Sequence, residues 1–114
     1  MAGSPLAGFG PIQTVTDGAT QTFDMSQGSR FSWTLGANRT MSAPTNVPDG
    51  CLIWLYVTQD ATGSRTVTWP STFRWPAATA PTLTTTASKT DLIWGQWDAT
   101  LNKWTMYAAS LNYT

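Results

Sequence analysis

Residues 51–59 read CLIWLYVTQ, from Cys51 to Gln59, and this stretch decides the fold class. It is apolar on both faces as far as Val57, which in a sheet protein is typical of a central strand covered on both sides. The stretch is shorter than the roughly 18 apolar residues that a transmembrane helix needs. It therefore predicts the central strand of a β-sheet core. Cys51 at its start is interpreted as a small buried hydrophobe.

Period-two alternation of apolar and polar residues continues on both sides of this strand. The chain holds 21 Thr, nine Gly and seven Pro, and no window shows apolar residues at helical spacing. These features predict an all-β fold, either an antiparallel β-sandwich or a small barrel. Turn-forming residues between the strands predict three hairpins: 19–25 with 30–35, 51–59 with 65–69, and 91–97 with 103–109.

The amino-terminal residues differ in composition from the rest of the chain. Residues 1–18 are rich in Gly and Pro and are predicted to form an extended arm, followed by a single β-sandwich domain over residues 19–114. Such an arm is either a frayed terminus or a segment that lies on a neighbouring subunit. Three apolar side chains, Leu6, Phe9 and Ile12, favour docking, because a solvated tail does not need them.

Composition excludes several function classes. The 114 residues contain no His and no Glu, and six Lys plus Arg balance six Asp. The absence of His removes imidazole bases and His-containing metal sites, and the single cysteine excludes a disulfide within the chain. Scattered basic residues at zero net charge argue against nucleic acid as a partner. We expect no enzyme activity, no cofactor, no metal site and no membrane segment.

The six aspartates are the only acidic side chains available for catalysis or for calcium binding. They are Asp17, Asp24, Asp49, Asp60, Asp91 and Asp98. A glycosidase needs two carboxyl groups in a cleft, and a calcium loop needs regularly spaced oxygen ligands. Asp49, Asp60 and Asp98 instead lie in predicted turns, where Asp commonly accepts hydrogen bonds from nearby backbone amides. The turn interpretation is favoured over both alternatives.

Seven Trp are a large aromatic supply for one small domain. Four of them lie on apolar strand faces and are predicted to be in the core: Trp33, Trp54, Trp94 and Trp104. The other three lie beside loops or turns and are predicted to contact a partner: Trp69, Trp75 and Trp97. The Trp-Pro pairs at 69–70 and 75–76 either clamp a stiff loop onto the sheet or form an exposed platform on which a sugar stacks.

Several segments resemble a domain that recurs in structural proteins of tailed bacteriophages. They are TFDMS at 22–26, NRTM at 38–41, TQD at 58–60, GSRTVTWP at 63–70, APTLT at 80–84, DLI at 91–93, and the final turn at 98–104. The resemblance covers about four fifths of the chain. It implies a virion β-module of tail fibres, tail spikes or other appendages, commonly a trimer, and it implies no catalysis.

Such modules usually end a longer polypeptide, whereas this one starts at its own Met1 with an arm in front. This organisation is similar to that of capsid decoration or cement proteins. We therefore expect a virion protein, assembled in the host cytoplasm, that binds the major capsid protein or another virion protein as a homotrimer and stabilises the head lattice. The alternative is a tail fibre or spike module that binds a host-surface carbohydrate, and an enzyme is the third and least favoured hypothesis.

Overall fold

The computed structural model describes residues 11–114, so Leu6 and Phe9 lie outside the described residues. Its regular secondary structure consists of β-strands and one short 3₁₀ turn at Pro76–Ala78, and the all-β prediction is confirmed. Its strands are Gln13–Thr14 (β1), Thr20–Gln21 (β2), Arg30–Leu35 (β3), Arg39–Met41 (β4), Leu52–Gln59 (β5), Val67–Thr68 (β6), Phe73–Arg74 (β7), Thr90–Asp98 (β8) and Lys103–Tyr113 (β9).

The strands form two sheets, between which the first half of the chain alternates. One sheet has six strands in the order β1-β3-β5-β8-β9-β7, and the other has three in the order β2-β4-β6. From β1 to β6 successive strands lie in alternate sheets: β1, β3 and β5 belong to the six-stranded sheet, and β2, β4 and β6 belong to the three-stranded sheet. Consecutive strands of one sheet therefore run parallel, as the pairs β1 with β3, β3 with β5, β2 with β4 and β4 with β6 all do.

The antiparallel arrangement predicted for this half is wrong, because neither of its two expected hairpins forms. After β3 the chain turns at Gly36 and crosses to the other sheet instead of returning beside its neighbour. Asp17 stabilises this corner: its carboxylate accepts hydrogen bonds from the backbone N–H of Gly36 at 2.9 Å, from Trp33 Nε1 at 3.0 Å and from the Arg39 guanidinium. These partners lie 16–22 residues away in sequence, so local alternation does not reveal them.

The predicted hairpin in the second half is confirmed. Strands β8 and β9 pair antiparallel, with Trp94 opposite Tyr107 and Asp98 opposite Lys103. The turn between them is held by Asp98, whose Oδ1 accepts hydrogen bonds from the backbone N–H groups of Thr100 and Leu101. Asp98 therefore accepts hydrogen bonds from nearby backbone amides, as its position in a turn predicts.

The central strand β5 lies between β3 and β8, as predicted, but it is not covered on both sides. Ile53, Leu55 and Val57 are buried, whereas Trp54 and Tyr56, which alternate with them, are half-buried. The three-stranded sheet packs against only one side of the six-stranded sheet. We call this side the core face and the opposite side the outer face.

The core face carries the main hydrophobic cluster. Trp33 and Trp104 are almost completely buried there, as predicted, and Met41 joins them from the three-stranded sheet. Burial of each such large side chain contributes roughly 1.5–3 kcal/mol to stability. Two buried polar side chains, Gln59 and Asp91, are satisfied by backbone groups and tie loops to the core.

Candidate functional site

A row of aromatic side chains crosses the outer face. Strand register places Trp54 opposite Trp94, and Trp94 opposite Tyr107. The ring centroids of the first pair are 5.4 Å apart with planes 15° from parallel, and those of the second pair are 4.8 Å apart with planes 25° from parallel. The rings of each pair are therefore stacked with an offset, an arrangement that aromatic side chains prefer. We call Trp54, Trp94 and Tyr107 the aromatic ladder.

The two ends of the aromatic ladder differ. At the β3 end, Arg30 is the register partner of Trp54. Its guanidinium lies 5.7 Å from the ring centroid of Tyr56 and donates a hydrogen bond to the Tyr56 hydroxyl at 3.2 Å. At the β9 end, Tyr107 is 41% exposed. One face of the Tyr107 ring contacts Trp94. The other side of the ring borders a cleft next to β7.

Tyr107 lines a cleft along the β9 side of the six-stranded sheet. The cleft consists of two adjoining depressions of about 230 and 250 Å³, and both are lined by Trp75, Pro76 and Tyr107. Strand β7 pairs with β9 only at Trp104 and Thr105, so beyond that point the segment after β7 forms the opposite wall. We call this the edge cleft, and its other lining residues are Arg74, Thr79, Pro81, Thr105, Met106 and Ala108.

Aromatic packing holds Trp75 in place in the edge cleft. Its ring centroid lies 5.5 Å from that of Trp69 and 5.9 Å from that of Phe73, and its side chain packs partly against the core cluster. The backbone that follows is strained, because Ala77 and Ala78 have φ of 55° and 56°, a region that side-chain-bearing residues rarely adopt. Strained backbone of this kind clusters at functional sites.

Arg74 supplies the positive charge of the edge cleft. Its side chain is exposed, and its Nε donates a hydrogen bond to Thr105 Oγ1 at 3.0 Å. All six aspartates lie in the described part of the chain, and none of them lines the edge cleft. The cleft therefore combines two aromatic walls, a guanidinium and threonine hydroxyls.

The structure brings together two of the three loop-side tryptophans that the sequence singled out. Trp69 contacts Trp75, and Trp69 also lines a neighbouring cavity of about 220 Å³. Trp97 lies apart from them, 5.6 Å from the ring of Trp104, and borders a polar cavity of about 340 Å³ with Asp49 and Asp98. All three are half-buried and pack against the core, so the loop-clamp interpretation describes part of the role of Trp69 and Trp75.

Part of the segment predicted as an arm is attached to the domain. Gln13 and Thr14 pair with β3, and Asp17 forms the corner contacts described above. Ile12, the described member of the three apolar arm residues, is 43% exposed.

The core assignment of Trp54 and Trp94 is wrong. Both lie on the outer face, because only one side of the central sheet is covered by the second sheet. Tyr107 and Arg74 were missed as candidates for the site. Alternation along β9 does place Tyr107 on the polar side with Lys103 and Thr105, and this is the signal that would have found it.

Outside the edge cleft, the surroundings of several titratable side chains shift their pKa. Burial raises the pKa of Asp17, but hydrogen bonds from Arg39, Trp33 and Gly36 outweigh it and lower that pKa overall. The Arg65 guanidinium beside Asp60, assisted by the Gly63 amide, also lowers the pKa of that carboxyl. Cys51 is half-buried, and burial raises the pKa of its thiol.

No group of three or more His, Cys, Asp or Glu within residues 11–114 is placed to hold a metal ion. No helix found there has the length and apolar character to span a bilayer.

Residues 14–94, well over half of the chain, match the family described as "Putative phage tail fibre C-terminal domain". The chain therefore belongs to this family and is a structural component of a bacteriophage virion, as the resemblance implied. The match includes Arg74 and Trp75 but ends before β9. Neither the curated proteins nor the solved structures gave a significant match.

Proposed function

We propose that this chain is a tail-fibre module that binds a carbohydrate of the host surface in the edge cleft. The observation that carries the proposal is the placement of Trp75 and Tyr107 on one cleft, each held by other aromatic rings. The C–H face of a sugar ring packs on an aromatic face, while side chains such as Arg74, Thr79 and Thr105 hydrogen-bond its hydroxyl groups.

The edge cleft is preorganised. Trp75 is packed between Trp69 and Phe73, and Tyr107 is stacked on Trp94, so few rotamers are lost when a ligand binds. Its two depressions are each smaller than the 300–1,000 Å³ that is typical of drug-sized ligands. This size suits one or two sugar rings of a longer chain that extends into solvent.

The family match favours this function over capsid decoration, because the family is named for a tail fibre. No feature of the described residues favours binding to a head lattice. From the composition and the resemblance we further propose that the module is not an enzyme, associates with copies of itself, contacts another virion protein and assembles in the host cytoplasm.

The test compares two exposed tyrosines of the same strand. Tyr107 lines the edge cleft, whereas Tyr113 is 48% exposed and lies outside it. We expect Tyr107→Ala to weaken binding to saccharides of a bacterial glycan array by about tenfold or more, as removal of a central aromatic contact does. Tyr113→Ala should bind like the unsubstituted protein.

Trp75→Ala provides a second variant from the opposite wall, and Tyr107→Phe retains the ring while removing the hydroxyl. Loss of binding in Trp75→Ala and retention in Tyr107→Phe would support ring stacking. The absence of any saccharide ligand, or equal binding by Tyr107→Ala and Tyr113→Ala, would refute the proposal.

A further inference from the structure

We infer that the saccharide bound in the edge cleft is acidic and that Arg74 binds its carboxylate or phosphate group. The inference rests on the proposed function and specifies its ligand class. It starts from the charges that line the cleft and from the geometry of one arginine.

Most basic side chains of the described residues already have partners within the fold. Arg39 and Arg65 form ion pairs with Asp17 and Asp60. Lys103 Nζ donates a hydrogen bond to the backbone oxygen of Ser71. The contacts of Arg39 and Lys103 join distant segments of the chain, and that of Arg65 closes a turn, so these cations have structural roles.

Arg74 differs from Arg39 and Arg65 in its contacts, and it differs from Arg30, whose guanidinium lies over the Tyr56 ring, in its position at the edge cleft. Its hydrogen-bond partner is the neutral hydroxyl of Thr105, and within residues 11–114 it takes part in no ion pair. Because no aspartate lines the edge cleft, its positive charge is not compensated there. A cleft with one uncompensated cation favours an anionic ligand over a neutral one.

The geometry of Arg74 suits an oxyanion. Its Nε bond to Thr105 anchors the planar guanidinium, while both terminal nitrogens still carry N–H groups that can be donated to a ligand. A guanidinium binds a carboxylate or a phosphate through two parallel N–H···O bonds to a negatively charged group. The hydroxyl and amide groups of a neutral sugar carry no such charge, so their hydrogen bonds to the guanidinium are weaker.

The aromatic walls lie next to this cation. Trp75 follows Arg74 directly in the chain, and Tyr107 lies two residues beyond Thr105 on the same strand face. A sugar ring packed between Trp75 and Tyr107 would therefore present its acidic substituent to the guanidinium. Uronic acids, sialic acids and phosphorylated sugars have this combination of an apolar C–H face and an anionic group.

The experiment measures binding of acidic saccharides and of their neutral counterparts by isothermal titration calorimetry. The probes are an oligosaccharide of hexuronic acid, the same oligosaccharide after reduction of its carboxyl groups, and a phosphorylated oligosaccharide with its dephosphorylated form. We expect at least one acidic form to bind about tenfold or more tightly than its neutral counterpart. The uronic and phosphorylated probes separate the two sources of negative charge.

Three variants test the role of the guanidinium. Arg74→Gln should abolish the preference for the acidic form, and Arg74→Lys should retain only part of it, because lysine keeps the charge but loses the two parallel N–H donors. Lys89→Gln removes the same charge from a turn outside the edge cleft and should leave the preference unchanged. Thermal unfolding of each variant confirms that it is folded.

The outcomes distinguish the inference from the proposed function. If neutral and acidic saccharides bind equally and Arg74→Gln changes nothing, while Tyr107→Ala still abolishes binding, the inference fails and the proposed function stands. If no saccharide of either kind binds, both fail. An acidic preference that is lost equally in Arg74→Gln and Lys89→Gln would reflect net charge alone and would also overturn the inference.

Discussion

The two faces of the six-stranded sheet are built from the same strands but differ in what covers them. On the core face, Trp33 is covered by the second sheet and by Phe23, and its exposed fraction is zero. On the outer face, Trp94 is covered mainly by its neighbours in the aromatic ladder, and the ladder ends in the exposed ring of Tyr107. Because side chains alternate along a strand, one sheet can provide stability on one face and a binding surface on the other.

This comparison predicts that substitutions on the core face lower the free energy of unfolding, whereas substitutions at the edge cleft lower affinity. The largest effect is expected for Trp33→Ala. This substitution leaves a cavity beside Phe23 and removes the indole Nε1–H that donates a hydrogen bond to Asp17. Denaturant unfolding should show a loss of about 3–5 kcal/mol. A loss below about 1 kcal/mol would mean that the core face does not determine stability.

Asp91→Ala should have the next largest effect. The Asp91 side chain is buried, and its two oxygens accept hydrogen bonds from the backbone N–H groups of Thr84 and Asn112 at 2.7 and 2.8 Å. Removing the carboxylate leaves both donors without this partner, which should cost about 2–4 kcal/mol in denaturant unfolding. The control Asp98→Ala affects only turn amides near the surface, so an equal or larger loss there would contradict the prediction.

The corner held by Asp17 predicts how stability depends on pH. Because the pKa of Asp17 is lowered in the folded protein, the unfolded chain binds more protons in acid. Its stabilisation is therefore complete above the ordinary value near 3.8 and is lost as pH falls through the lower folded-state pKa. Asp17→Asn should lower the free energy of unfolding by about 1–2 kcal/mol at pH 7 and should make that free energy fall less steeply as the pH decreases. If urea unfolding at pH 2–5 shows the same pH dependence in the variant, other groups cause it.

The smallest effect on stability is expected for Tyr107→Ala. The ring is 41% exposed and contacts Trp94 on one face, so its removal should cost only about 1 kcal/mol in denaturant unfolding. The same variant should show the loss of saccharide affinity described above. A destabilisation of several kcal/mol would show that the outer face also stabilises the fold, and the contrast between the two faces would then be lost.

Local sequence patterns predicted the features that depend on neighbouring residues. A continuous apolar run identified the central strand β5, and alternation identified the β8–β9 hairpin and the buried Trp33 and Trp104. Turn chemistry identified Asp60 and Asp98, both of which accept hydrogen bonds from nearby backbone amides. Each of these features is determined by residues a few positions apart.

The features that were missed depend on long-range contacts. The parallel winding of the first half requires corners such as those made by Asp17 with Gly36 and by Asn38 with Thr66. The edge cleft forms because β7 crosses to the far edge of the sheet and pairs with β9, which places Arg74 beside Thr105, 31 residues later. Alternation cannot show which strand becomes the neighbour of another.

The central claim is that a ligand binds at the edge cleft without contacting the core face. The most direct measurement is a ¹H–¹⁵N correlation spectrum of the seven tryptophan indole N–H groups during titration with an acidic saccharide. The account predicts a saturable shift of the Trp75 signal, with those of Trp33 and Trp104 unchanged. A shift confined to Trp97, or no shift of the Trp75 signal at saturation, would contradict it.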